Sequence, residues 1–418
     1  MALSQTDLLR VFIDGIKAPE KRSIGIEKEC FLYNRSTGKR LVYDEINSVL
    51  ESFFKLGYSY TFEKETIIGC TKNGINLSLE PGGQFEISTL PHLDLHKAYN
   101  EITTFDNQLD VILHQRGFFK REIGFEPLWA QRDLPWMTKE RYAIMRRYMP
   151  LKGNHGLDMM RRTCTLQINL DYISETNMRQ MMFLTHALTP LVSGLFAASP
   201  FYEGKFSGYK SFRNFVWQDT DPDRCGLLPF VFNQAMTFED YLNYLLDVPM
   251  YFVYRGGDYI HTAGASFKDF MKGELKEYPG HVAIMDDFYD QMTVAFPEVR
   301  LKKYIEIRCI DASPIAFAAA ALFVGLLYCN SSLERALNFV SDWTFSKVQD
   351  QYVRIPREGL SKREWCIAEQ IYAMAWDGLK ERRLGEEKFL EPLQRIIAYR
   401  KTYSDDLVEN ADHSISFP

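Results

Sequence analysis

The chain reads as an α+β fold in which an antiparallel or mixed sheet has one polar face and helices cover its apolar side. Three observations predict this. First, five short stretches alternate polar and apolar residues: Gly25-Ile26-Glu27-Lys28-Glu29, Asn76-Leu77-Ser78-Leu79-Glu80, Gln84-Phe85-Glu86, Thr163-Cys164-Thr165-Leu166-Gln167-Ile168-Asn169 and Tyr304-Ile305-Glu306-Ile307-Arg308. Side chains two apart on a strand share a face, so each stretch sets acids and amides on one side and Ile, Leu and Cys on the other. Second, helical periodicity separates these strands without the regular spacing of a parallel strand-helix-strand sheet. Third, the composition is globular, with 46% hydrophobic and 25% charged residues in 418, enough to bury a large core.

Taken in order, residues 1–20 read as a short amphipathic helix that leads into the first acidic strand. Helical spacing returns over 43–56 and 92–117, on either side of paired strands joined at Pro81-Gly82-Gly83. From 118 to 162 the chain is loop-rich and locally basic. Lys139, Arg141, Arg146, Arg147, Lys152, Arg161 and Arg162 stand there against Glu140 and Asp158, either as an anion patch or as a solvated face. Residues 163–171 form the cleanest strand, and 176–197 read as a helix ending before Ser199-Pro200. The stretch 201–262 is rich in aromatics and turns and includes the strand-like run Met250-Tyr251-Phe252-Val253-Tyr254. Beyond 313 the chain reads as almost wholly helical. Its longest apolar run, Ile315 to Cys329, spans 15 residues, short of the roughly 20 that a bilayer crossing needs. Ser313-Pro314 supplies an N-cap and an N1 proline, so this run is expected to be a buried core helix. No linker or internal repeat interrupts the chain, and a single domain over 1–418 is expected.

A formal net charge of −6 argues against a general nucleic-acid binder. The seven cysteines, Cys30, Cys70, Cys164, Cys225, Cys309, Cys329 and Cys366, form neither a CxxC pair nor a zinc spacing. They read as reduced core thiols and, with no signal-like N-terminus, predict a cytoplasmic protein. Neither GxGxxG nor GxxxxGK[ST] occurs, so any nucleotide site must be built from sheet-borne cations and scattered basic groups. Asp219-Thr220-Asp221-Pro222-Asp223 is not an EF-hand loop, because Arg224 and Phe230 stand where Gly and Glu are required. His186 reads as structural, and His155, in a glycine-flanked loop, as a possible phosphate contact.

Chemistry is carried by the recurring acids. Glu27, Glu29, Glu80, Glu86 and Glu306 each adjoin an apolar residue, which marks half-buried strands where crowded carboxylates are costly unless neutralised. Hard oxygen ligands of this kind predict bound Mg²⁺ or Mn²⁺. Arg308, two residues after Glu306, is expected on the same face, where it would contact a transferred phosphoryl group.

Several strings resemble plant-type glutamate–cysteine ligases, a family also found in many proteobacteria. They are Leu79-Glu80-Pro81-Gly82-Gly83-Gln84-Phe85-Glu86, Arg141-Tyr142-Ala143-Ile144-Met145-Arg146-Arg147-Tyr148-Met149-Pro150, Gly156-Leu157-Asp158-Met159-Met160 and Arg162-Thr163-Cys164-Thr165-Leu166-Gln167-Ile168-Asn169-Leu170-Asp171. Trp217-Gln218-Asp219-Thr220-Asp221, Leu228-Pro229-Phe230-Val231-Phe232, Asp247-Val248-Pro249-Met250-Tyr251-Phe252 and Phe296-Pro297-Glu298-Val299-Arg300-Leu301-Lys302 extend the similarity, which runs from about residue 23 to 385.

The resemblance implies a glutamine synthetase-like core, a curved and mainly antiparallel sheet whose concave face holds metals and ATP. It implies ATP-dependent joining of the glutamate γ-carboxylate to the amine of cysteine through an acyl phosphate. Glu27, Glu29, Glu80, Glu86 and Glu306 become expected metal ligands, Glu306 and Arg308 catalytic groups, and Lys28, Gln167, Asn169 and Arg308 nucleotide contacts. Arg146 and Arg213 are expected to bind the glutamate α-carboxylate, with Thr163, Thr165, Trp217 and Tyr251 shaping the amino-acid pocket. Departures from the family pattern are Lys28 in place of His, Cys30 in place of Lys, and Cys309-Ile310 in place of Gly-Ala. The cysteine pair of plant members is missing near Thr262 and Glu277, which points towards a bacterial-type enzyme. A ligase of the same fold acting on another amine, or a noncatalytic binding relative, are the alternatives.

Overall fold

The computed structural model describes residues 3–411. At its centre is a nine-stranded sheet. Its strands are β1 (Ile24–Asn34), β2 (Ser59–Glu63), β3 (Thr66–Lys72), β4 (Ile75–Leu79), β5 (Phe85–Ser88), β6 (Phe118–Arg121) and β7 (Thr165–Leu170), followed by a hairpin of Val299–Leu301 and Ile305–Asp311. The spatial order runs from Val299–Leu301 through Ile305–Asp311 to β7, β1, β5, β4, β3 and β2, while β6 pairs with the far half of β1. Among the described residues every pairing in this sheet is antiparallel. The α+β expectation therefore holds in its antiparallel form.

Register turns the alternation into a surface. Glu27 pairs with Gln167 and Glu29 with Glu86, while Asn169 pairs with both Gly25 and Glu306. Directly opposed residues share a face, so these acids and amides from four strands lie on one side. The other side carries Ile26, Leu77, Phe85, Ile87, Leu166, Ile168, Ile305 and Ile307, all buried. Lys28 falls on that apolar side, and this corrects its expected role as a nucleotide contact. Its ammonium is neutralised by Asp106 at 2.6 Å and Glu122 at 2.9 Å.

Some helices cover the apolar side and others border the cavity on the polar side. The first seven are α1 (Gln5–Ile13), α2 (Tyr43–Lys55), α3 (Leu95–Gln115), α4 (Glu140–Tyr148), α5 (Gly156–Arg162), α6 (Glu175–Leu195) and α7 (Phe212–Gln218). Local sequence explains them: α1 starts in a Ser4–Asp7 capping box, α3 at the Asp94 cap and α6 at the Ser174 cap. In α2 the buried residues are Ile46, Val49, Leu50 and Phe53, a stripe at helical spacing. The run after Ser313 becomes the helix Phe317–Leu327, buried on every side beyond its first residue. Among the described residues no single helix is long and apolar enough to cross a membrane. Helices α4 and α5 lie where loops were expected. In α5 six of seven residues are buried, including Asp158, Arg161 and Arg162, so no one-sided stripe announces it.

Candidate active site

The polar face of the sheet opens into a cavity of about 280 Å³. Glu27, Glu29, Glu80, Glu86, Gln167 and Arg308 line it from the sheet and its turns, and Arg141, Thr163, Arg213 and Trp217 from elsewhere in the chain. Glu80 sits on the turn after β4, where the Gly83 N–H donates to the Glu80 carbonyl at 2.8 Å. Gly82 passes so close to α5 that a Cβ there would lie 2.5 Å from the Arg161 carbonyl oxygen. Gln84 fastens the turn, accepting from the Gly82 N–H and donating to the carbonyls of Met160 and Thr163 at 3.2 and 2.9 Å.

Two electrostatic environments share this cavity. Burial, then Glu86 and Glu80, push the Glu29 carboxyl well above its ordinary range. Burial, then Glu27 and Glu80, push Glu86 up to about 8. Burial and Glu306 likewise raise Glu27. These acids repel one another and favour a positively charged occupant. Glu306 differs. Burial alone would raise it, but Arg300, Lys302 and Arg308 together hold it well below the carboxylate range. Arg300 donates to it twice, at 2.6 and 3.2 Å, Lys302 lies 2.7 Å away, and Arg308 closes the group. The expected free metal ligand at Glu306 is thus a fully buried anchor for three cations.

A register shift between Ile307 and Ile310 marks a β-bulge around Arg308, a device that re-aims a side chain. Arg308 donates to Gln167 at 2.6 Å, and its own carbonyl accepts from Arg213 at 2.7 Å. Asn169 donates to Glu27 at 2.8 Å, beside the cavity, and is not one of its lining residues. The Thr163 and Thr165 hydroxyls donate to the carbonyls of Met159 and Ile310 at 2.7 and 2.6 Å. They shape the wall and are already committed to the main chain. Two expected substrate contacts are corrected. Arg146 is exposed, stacked on Trp136 at 4.7 Å outside the cavity, because α4 turns Arg141, Tyr142 and Met145 inward instead. Tyr251 is a packing residue against Arg224 and Tyr148. His155 is held by Asp158 at 3.0 Å and by the rings of Phe212 and Phe215.

The sequence reading gives Arg300 and Lys302 no role and Arg141 only a place in the basic stretch. The first was legible in principle, since Val299-Arg300-Leu301 alternates and Arg300 pairs directly with Glu306. Four buried donors of cavity-lining residues, Arg141 Nε, Arg213 Nε, Arg308 Nε and Trp217 Nε1, have no hydrogen-bond partner. Buried donors are rarely left so, and these four belong to side chains that line one cavity. Among the described residues no three His, Cys, Asp or Glu side chains are already arranged to hold a metal ion.

A model of the glutamate–cysteine ligase family 2 matches residues 23–414. The chain belongs to this family. The chloroplastic glutamate–cysteine ligase of Nicotiana tabacum is 40% identical over 418 residues, spanning 97% of this chain and 80% of that protein. The corresponding enzyme of Arabidopsis thaliana is 39% identical, with 97% and 80% covered. Among solved structures, Francisella tularensis glutamate–cysteine ligase in complex with AMP aligns at a TM-score of 0.55 and 12% identity, over 95% of this chain and 86% of that one. A bifunctional glutathione synthetase from Pasteurella multocida aligns at 0.52 and 13%, over 95% and 50%. These two likenesses show the fold, which is glutamine synthetase-like. Family membership bears out the expected activity, ATP-dependent formation of γ-glutamylcysteine. It does not bear out the cytoplasmic location. The plant relatives are named as chloroplastic enzymes, which overturns that expectation.

Proposed function

We propose that the cavity performs this ligation with the residues assembled around it, and that the repelling acids Glu27, Glu29 and Glu86, set with Arg141, Arg213 and Arg308 on one cavity, best support the reading. Arg141 and Arg213 bind the carboxylate groups of glutamate, for which the guanidinium fork is suited. The γ-carboxylate attacks the terminal phosphorus of ATP, giving γ-glutamyl phosphate and ADP. The cysteine amine then attacks the activated carbonyl and phosphate leaves. Arg308, aimed by its bulge and charged by its contact with Glu306, stabilises the transferred phosphoryl group. Glu306 acts through Arg308, Arg300 and Lys302 as a positioning residue.

The acids Glu27, Glu29, Glu80 and Glu86 fit Mg²⁺ or Mn²⁺, because their mutual repulsion is what a divalent cation relieves. When bound, such ions neutralise charge on the nucleotide phosphates. One hydrophobic core runs from Leu8 through the sheet to Ile397, which supports a single catalytic unit that includes the helical part beyond 313. The test is ADP release with glutamate, ATP and Mg²⁺ over a panel of amines, with product masses measured. Cysteine-dependent release of γ-glutamylcysteine is expected. Turnover only with another amine, or ATP binding without turnover, refutes the assignment.

A further inference from the structure

The carboxylates of the cavity come from the sheet and its turns, but α4 and α5 contribute a different wall. Met145, Met159 and Met160 line the cavity with Trp217, Phe252 and Phe296, and each methionine is at most 9% exposed. Resting on the ligase reading above, we propose that these three methionines form the pocket for the acceptor's side chain and select a thiol over a hydroxyl.

A thioether is polarisable, donates no hydrogen bond and accepts only weakly, and sulfur packs well on methionine and ring edges. A thiol loses little on entering such a wall. A serine hydroxyl loses its water partners and finds weak replacements. The wall's own hydroxyls do not supply a donor, since those of Thr163 and Thr165 donate to main-chain carbonyls, and the Nε1 of Trp217 is buried away from the open cavity. Three methionines from two helices, on a cavity that also carries four glutamates and four arginines, explain as well why the acceptor pocket carries no polar signature in the sequence. Leucine would fill the same volume with a branched and less adaptable side chain.

The experiment measures kcat/KM of the full chain with glutamate, ATP and Mg²⁺ for cysteine, serine and 2-aminobutyrate, whose methyl replaces the thiol. An apolar pocket rejects an added hydroxyl by about a hundredfold, so cysteine is expected to exceed serine by that order and 2-aminobutyrate to fall nearer cysteine. Replacing Met145, Met159 or Met160 by Gln offers the hydroxyl a partner. At least one such variant is expected to lower the cysteine-to-serine ratio by about tenfold, while the Leu variants hold it within about threefold. A ratio unmoved in all three Gln variants, or serine preferred to 2-aminobutyrate by the unmodified chain, overturns the proposal. The second comparison decides even where a Gln variant fails to fold. A chain that forms no γ-glutamylcysteine overturns the ligase reading together with the wall; one that forms it with an unmoved ratio overturns the wall alone.

Discussion

Replacing Glu86 by Gln is expected to stabilise the metal-free protein at alkaline pH and to blunt its response to Mg²⁺. Burial, then Glu27 and Glu80, raise the Glu86 carboxyl from 4.5 to about 8. Between those values the folded chain holds a proton that the unfolded chain releases. The stability this group contributes is therefore complete below about pH 4.5 and is lost as pH rises to about 8. At ~1.4 kcal/mol for each pH unit across that window, the loss is roughly 5 kcal/mol. It is an upper bound, because Glu27 and Glu29 titrate with Glu86 and share the repulsion. Glutamine keeps an oxygen to accept from the Ser78 hydroxyl, now at 2.7 Å, and carries no charge. Urea unfolding at pH 4.5, 6, 7.5 and 9, with EDTA or with Mg²⁺, reads the effect. The variant should match the parent at pH 4.5 and exceed it by ~2–5 kcal/mol at pH 9 in EDTA, with a smaller gain from Mg²⁺. A parent whose stability in EDTA is no more pH-sensitive than the variant's, or a variant no more stable at pH 9, refutes the reasoning.

Glu306→Gln should abolish ADP release and cost ~3–5 kcal/mol near neutral pH, because three buried cations lose their counter-charge. Glu306 is held well below 4.5, so that cost should shrink as pH falls below 4.5, as urea titrations will show. Arg141→Lys should raise the KM for glutamate by about tenfold, since a bidentate fork becomes a point charge, whereas Arg146→Ala on the outer face of α4 should leave it within about threefold. An equal effect of both in steady-state assays would remove Arg141 from the glutamate site. Lys28→Met should lower the thermal midpoint by leaving Asp106 and Glu122 with Lys120 as their shared cation, yet preserve ATP affinity. Loss of nucleotide binding in a folded Lys28→Met protein, read by calorimetry, would return Lys28 to the nucleotide site.

The sheet and its acids were legible because strand alternation has a period of two and needs no tertiary information. The stretches holding Glu27, Glu86, Gln167 and Glu306 all lie on strands and share one face. Lys28 was misassigned from a position in a family motif, although the same alternation places it opposite Glu27 and Glu29. Arg146 carries the expected role and Arg141 none. Both lie in one basic string, and only the rotation of α4 decides which faces the cavity. Helix α5 escaped because it is buried almost all round, and its Arg161 and Arg162 resemble a loop's charges when partners are unseen.

Glu29 and Glu306 show where residue type stops being informative. Both are strand glutamates beside isoleucine, lysine or cysteine in the sequence and both are buried; Glu29 lines the cavity, and Glu306 lies behind its lining residues Arg300 and Arg308. Their carboxyls are nevertheless driven in opposite directions. Glu29 lies across from another acid, Glu86, and burial leaves its charge poorly compensated. Glu306 lies across from Arg300, while the bulge on its own strand brings Arg308 to the same oxygen. Cross-strand register thus divides one row of acids into a set that attracts cations and a single anion that holds cations in place. A ligase passing through an acyl phosphate needs both, because the nucleotide's charge must be neutralised and the guanidinium that meets the phosphoryl group must be kept charged and aimed.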